Sequence, residues 1–286
     1  MLEMLLSPGK AERASWTLFF VGLVYASLSI ILVNWIFSGD AILSKYSGIL
    51  IVTFSVMFSL PFMYYLIKNE EEKDIEYEGS FRMLREHSKA ILSLMWLFLG
   101  FVVAFSFWYI VLAPNQNFRA QIETYCLINR PANFDACITE YGIKTAKIGV
   151  TAALTAKEKI FMIFVNNIYV LIFTLVFSLI FGAGAIFVLA WNASVIAAAV
   201  GIFSKSNLSA LPLGIARYMI HGVPEIAAYF VAALAGGIVS VAIIKHDTRS
   251  EKFWSILQDS LNLIIIAVII LFLASLIEVF ITPALF

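Results

Sequence analysis

Long apolar runs alternate with short polar breaks along this chain, and the length of the runs is the first thing the pattern discloses. Apolar stretches cover Trp16 to Phe37, about Tyr46 to Ile67, Ala90 to Leu112, Ile160 to Phe181, Ala185 to Phe203, Pro224 to Ile244 and about Phe253 to Thr282. About twenty helical residues, rising ~1.5 Å each, cross a hydrocarbon core of roughly 30 Å. Each run is long enough to do so. The pattern predicts an all-α polytopic membrane protein with about seven transmembrane helices (range six to seven). The run at Trp16–Phe37 exceeds the length of a signal-peptide core and precedes no small-residue cleavage site, so it is expected to stay as the first span.

The breaks divide the chain. Residues 1–67 form a two-helix membrane hairpin, and residues 68–89 a charged linker. The linker is acidic at first (Glu70, Glu71, Glu72, Asp74, Glu76, Glu78) and then amphipathic from Ser80, with Phe81, Leu84 and Ile91 opposite Arg82, Arg85 and Lys89. Residues 90–286 form the main membrane domain, with a polar loop at about 113–159. Thr155 followed by Glu158 is a capping-box pattern that starts the next span. The loop holds Cys126 and Cys137, the two cysteines of the chain. Facing an oxidising exterior they would close a disulfide; in a reducing compartment they would be free thiols. Gly182 and Gly184, in "GAG", mark either a tight surface turn or a buried bend.

Charge sets an orientation. With the N-terminus inside, the inner segments hold ten Lys and Arg, whereas the short outer connections hold three, Lys45, Lys205 and Arg217. The positive-inside bias is read in short connections, so the N-terminus is expected to be cytoplasmic and the C-terminus external, in a cell membrane.

Polar residues inside the runs come next. "FVNNIYV" sets Asn166 and Asn167 in the fourth span, and "LAWNASV" sets Asn192 in the fifth. "MIHGVPEIAAYFVAALAGG", from Met219, places His221 and Glu225 at the head of the sixth. Buried amides are usually ties between helices, while an ionisable residue at membrane depth is by default a candidate site. Gly222 and Pro224 suggest that the chain breaks at Gly222–Val223 and restarts at Pro224, with Glu225 in the first turn of the new helix. Leu211 to Ile220 would then be a short re-entrant or interfacial helix, and Arg217 could join His221 and Glu225. Beyond them Ala228, Ala232, Gly236 and Ser240 recur every four residues and leave one stripe nearly bare, a surface for close packing within or between subunits.

Composition adds exclusions. The 286 residues are 62% hydrophobic and 13% charged, with formal net charge zero, so no global field points to nucleic acid. There is no H-E-x-x-H, G-x-S-x-G or P-loop pattern. Neither a metal nor another cofactor is expected. The partners expected are the lipid bilayer and either further copies of the chain or another membrane protein.

The paired Asn166–Asn167, the glycines at 182 and 184, Asn192, "HGVPE" and the Ala/Gly stripe together resemble the stage II sporulation protein M family of membrane proteins. The likeness runs from roughly residue 90 to the end, its specific motifs confined to about 160–245. It departs at Ala193, where the family usually has glycine. The resemblance implies a membrane scaffold working with partners; the family's namesake serves in a complex with cell-wall-remodelling proteins. It carries over no catalytic residue. A non-enzymatic scaffold or assembly factor is therefore expected. The alternative is a transporter, channel or permease-like subunit with a polar path past Asn166, Asn192, His221 and Glu225.

Overall fold

A computed structural model of the chain describes residues 15–40, 42–74, 88–112, 117–130, 133–143, 155–181, 185–204, 207–245 and 251–286. Seven helices are long and apolar enough to cross a membrane, and no strand occurs among the described residues. In chain order the helices are α1 (Thr17–Phe37), α2 (Ser47–Asp74), α3 (Ser88–Val111), α4 (Arg119–Asn129), α5 (Phe134–Glu140), α6 (Ala156–Phe181), α7 (Ala185–Phe203), α8 (Leu211–Lys245) and α9 (Glu251–Leu276). A π turn (Ile277–Ile281) carries α9 into the last four-residue helix, α10 (Thr282–Leu285). The protein is an all-α polytopic membrane protein. In hydrocarbon each backbone N–H and C=O needs a partner within the chain, and a long helix supplies it.

Burial sorts the spans. α3, α7 and α8 are the central ones, with 61–72% of their span residues buried, against 17% for α6 and 22% for the last span. α1 lies on α3 through glycine: a Cβ on Gly22 would strike the Leu97 carbonyl, and one on Gly100 the Phe19 carbonyl. α7 meets α3 in the same way, since Gly201 lies against the Tyr109 ring. No large apolar moment is needed for such contacts; absent side chains let the backbones approach.

The two short helices α4 and α5 fold the polar loop into a cap joined by the Cys126–Cys137 disulfide. The cap is set into the bundle rather than laid over it. Phe118, fully buried, packs its ring against Tyr109 and Phe105 of α3. Gln121, also fully buried, donates from Nε2 to the Gly48 carbonyl at 3.0 Å and to Ser194 Oγ at 3.1 Å, tying α4 to α2 and α7. Gly48 is glycine because any Cβ would collide with that amide. At the start of α6, Thr155 and Glu158 form a reciprocal cap: the Thr155 N–H donates to Glu158 Oε2 at 2.7 Å, and the Glu158 N–H donates to Thr155 Oγ1 at 3.4 Å.

Two expectations from the sequence change here, and a third, left open between two alternatives, is decided. There is no break at Gly222–Val223, and Leu211–Ile220 is not a separate re-entrant or interfacial helix. α8 is one helix of 35 residues with Pro224 inside it, about 52 Å long. Proline withholds one N–H from the Ile220 carbonyl, whereas a full break would strand several backbone groups at membrane depth. The continuous helix is the lesser loss. Gly222 serves proximity instead: it is buried, and a Cβ there would press on Met219 at 3.3 Å. The second difference is at the linker, whose acidic start is helical, since α2 runs on to Asp74. Its amphipathic continuation to residue 87, like Gly182 and Gly184, lies outside the described residues.

The third concerns the Ala228–Ser240 stripe. It packs inside the subunit. Gly236 faces α6, where an added Cβ would lie 2.8 Å from the Leu175 carbonyl. Ser178 of α6 donates to the Ala233 carbonyl at 2.6 Å. Ala228 and Ala232 are fully buried, and Ser240 is half-buried.

Candidate functional site

The ionisable residues of α8 face two other spans. α8 and α9 are consecutive in the chain and pack along their length, so they run antiparallel. His221 Nδ1 lies 3.1 Å from Thr282 Oγ1. Four residues on along α8 is Glu225; four back along the last span is Glu278. One antiparallel step brings the two carboxyl groups into electrostatic range of each other. Tyr229, one turn further along α8, is within the same range of both.

The π turn makes this alignment. Pro283 has no N–H to give to the helix, and just before it the backbone widens by one residue over Ile277–Ile281. Thr282 follows the wider ladder and its hydroxyl donates to the Ile277 carbonyl at 3.3 Å. The same hydroxyl is thereby placed between the Ile277 carbonyl and His221 Nδ1.

α6 closes the cluster from a third direction. Asn167, 6% exposed, donates from Nδ2 to Glu225 Oε1 at 2.7 Å. Its neighbour Asn166 donates from Nδ2 to Asn167 Oδ1 at 3.5 Å. The two adjacent amides therefore form a chain that ends on the Glu225 carboxyl. Among the described residues no three His, Cys, Asp or Glu side chains converge as metal ligands.

One sequence candidate stands elsewhere, and another lies at the margin of the cluster. Asn192 donates to the Val188 carbonyl of its own helix at 2.8 Å and lines a recess away from Glu225. Arg217 holds its guanidinium over the Phe203 ring, 5.0 Å from the centroid, a cation–π contact. It sits beside Tyr218, whose side chain also meets Tyr125 of the cap. So Arg217 sits at the junction of cap and bundle and stays within electrostatic range of His221. Glu278 is the residue that sequence reasoning missed. The signal was there: it is the one charged residue in the run from Leu261 to Phe286, and an isolated acid in a span is itself a site hypothesis.

The recess is the second feature. It has a volume of about 610 Å³ between α2, α6, α7 and the cap helix α4. Asn166, Tyr169, Trp191 and Asn192 bring polar groups to walls made of Ile49, Val170, Phe173, Phe187, Val188 and Val195.

An Asn–Asn–Glu chain on spans four and six, running from exposed Asn166 through buried Asn167 to Glu225, with His four residues ahead of the Glu, is a combination of motif positions that can be compared with known families. The family model for stage II sporulation protein M matches residues 93–283, two thirds of the chain. The chain belongs to the stage II sporulation protein M family. No curated protein and no solved structure matches it. The sporulation protein M match begins inside α3 and covers the cap, the recess wall on α6 and α7, and every member of the His221–Glu225–Glu278 cluster. α1 and α2 lie before it.

Proposed function

We propose that this sporulation protein M relative is a non-enzymatic membrane scaffold or assembly factor of the cell membrane. Its disulfide-closed cap would face outward and its N-terminus the cytoplasm. The observation that carries this reading is the Asn167–Glu225 hydrogen bond at 2.7 Å. It supports a cluster solvated by protein, one that ties α6, α8 and the last span into one platform. The recess lining includes neither His221 nor Glu225, which fits a tie better than a conduction path. The largely exposed apolar faces of α6 and the last span offer surfaces to further copies or to a membrane-protein partner.

One observation favours transport as a second reading. Glu225 faces Glu278, and two acids brought together at membrane depth stabilise a positive charge placed between them. Flux in sealed liposomes separates the two. The scaffold reading expects proton and Na⁺ flux no greater than in protein-free vesicles. Flux that is present in the natural protein and lost in Glu225→Gln would establish transport instead.

A further inference from the structure

The recess between α2, α6, α7 and α4 presents a mismatch between what it offers and where it lies. Its mouth is on membrane spans: Tyr169 and Phe173 of α6 are 68% and 45% exposed, and Ile49 of α2 is 40% exposed. The opening therefore faces sideways, toward lipid. Yet Asn166 exposes its amide there, and Asn192 keeps its Oδ1 free of any hydrogen bond among the described residues, its Nδ2 being spent on Val188. The Tyr169 hydroxyl and the Trp191 indole N–H are likewise without a hydrogen-bond partner among the described residues. A polar group facing hydrocarbon without a partner costs a few kcal/mol.

We infer that the recess binds one neutral, single-chain lipid whose uncharged hydroxyl or carbonyl group bonds to Asn166 and Asn192. Charge complementarity selects the class. Among the described residues no Lys, Arg, Asp or Glu lines the recess, so a phosphate has no counter-charge from them, whereas amides, an indole N–H and a phenol suit a neutral acceptor or donor. The volume, about 610 Å³, lies in the usual range of small-molecule sites, roughly 300–1,000 Å³. The chain of the lipid lies against Val170, Phe173, Phe187 and Val188. Thr124 and Ile128 of α4 close one end, so the disulfide-linked cap forms part of the site. Asn166 also donates to Asn167, which donates to Glu225. An occupant that draws on Asn166 is thus two hydrogen bonds from the buried carboxyl.

The test is photolabelling of the full chain in bilayers with three probes carrying a diazirine at the same chain position: a monoacylglycerol, a phosphatidylglycerol and a plain hydrocarbon. The monoacylglycerol should label peptides of α6 and α7 around the recess about tenfold above either comparator, the ratio that one amide hydrogen bond supports. Asn166→Leu with Asn192→Leu should bring it down to the hydrocarbon level while the Cys126–Cys137 disulfide still forms. If that variant fails to fold, Tyr169→Phe with Trp191→Phe should lower the same labelling in a folded protein. Equal labelling by the hydrocarbon overturns the proposal. So does preference for the phosphatidylglycerol, label spread evenly around the bundle, or labelling untouched by folded variants. Flux measured in liposomes does not bear on any of these outcomes.

Discussion

The α1–α3 junction and the α6–α8–α9 junction hold helices together by opposite means. At the first, Gly22 and Gly100 remove side chains until the backbones touch. The side-chain ties described there, Ser93 Oγ–H to Ser15 Oγ and Trp108 Nε1–H to Ser27 Oγ at 3.0 Å each, lie on either side of the glycine contact. At the second, an amide, an imidazole, a hydroxyl and two carboxyl groups meet at membrane depth. Glycine contact is gained from dispersion over many atoms and tolerates no added atom. A polar tie is gained from few atoms and tolerates added methyl groups, but losing one partner strands the other. The first straddles the edge of the family match, with α1 before it and the α3 contact residues inside, and the second lies wholly inside it.

Breaking each junction by its own weakness should give the largest contrast. Gly22→Leu forces a branched side chain into the Leu97 carbonyl. It should cost more than the ~1–3 kcal/mol of ordinary overpacking, and folded protein should be lost in detergent size-exclusion profiles. Asn167→Leu adds no bulk but leaves Glu225 without its donor. It should destabilise by about 1–3 kcal/mol, measured by steric trapping in bicelles.

Where α6 meets α8 the two means act together, which sharpens the contrast. Gly236→Ala puts a Cβ 2.8 Å from the Leu175 carbonyl and should cost about 1 kcal/mol or more. Ser178→Ala removes the bond to the Ala233 carbonyl and should cost about 0.6 kcal/mol, the average for such ties in membranes. If the serine proves the costlier, the ranking of contact above polar tie fails at this interface. The smallest effect should come from outside both junctions. Asp40 accepts from the Ile42 and Leu43 N–H groups at 2.8 Å each, and these bonds, first Leu43 and then Ile42, hold its carboxyl below the ordinary value. A lowered carboxyl stabilises the fold above its unfolded value and stops doing so as pH falls through the folded one. Asp40→Asn should therefore flatten only the acidic end of a pH–melting profile.

Much of this was legible in the residues, for a definite reason. Span number follows from apolar length, because a bilayer imposes one dimension on every run. The identities of Asn167, His221 and Glu225 as candidates follow from the expense of polar groups in lipid. Facing does not follow. Asn192 and Arg217 are as polar as the rest, but one folds back on the Val188 carbonyl of its own helix, and the other covers Phe203 and reaches His221 only electrostatically. Gly222 and Pro224 suggested a break because both are punctuation in water; in a bilayer the backbone has no water to break toward. Glu278 joined the site only through the antiparallel step and the π turn before Pro283, neither of which a single sequence displays.

The central claim is that Glu225 is held by Asn167 across the α6–α8 interface, and a double-mutant cycle addresses it most directly. Asn167→Leu, Glu225→Leu and the double variant would be unfolded in bicelles by steric trapping and compared with the natural chain. The account predicts a coupling of at least about 1 kcal/mol, with the double variant no less stable than Asn167→Leu alone, because both partners of a buried pair then leave together. Additive losses would contradict it and leave the two residues with no bond between them.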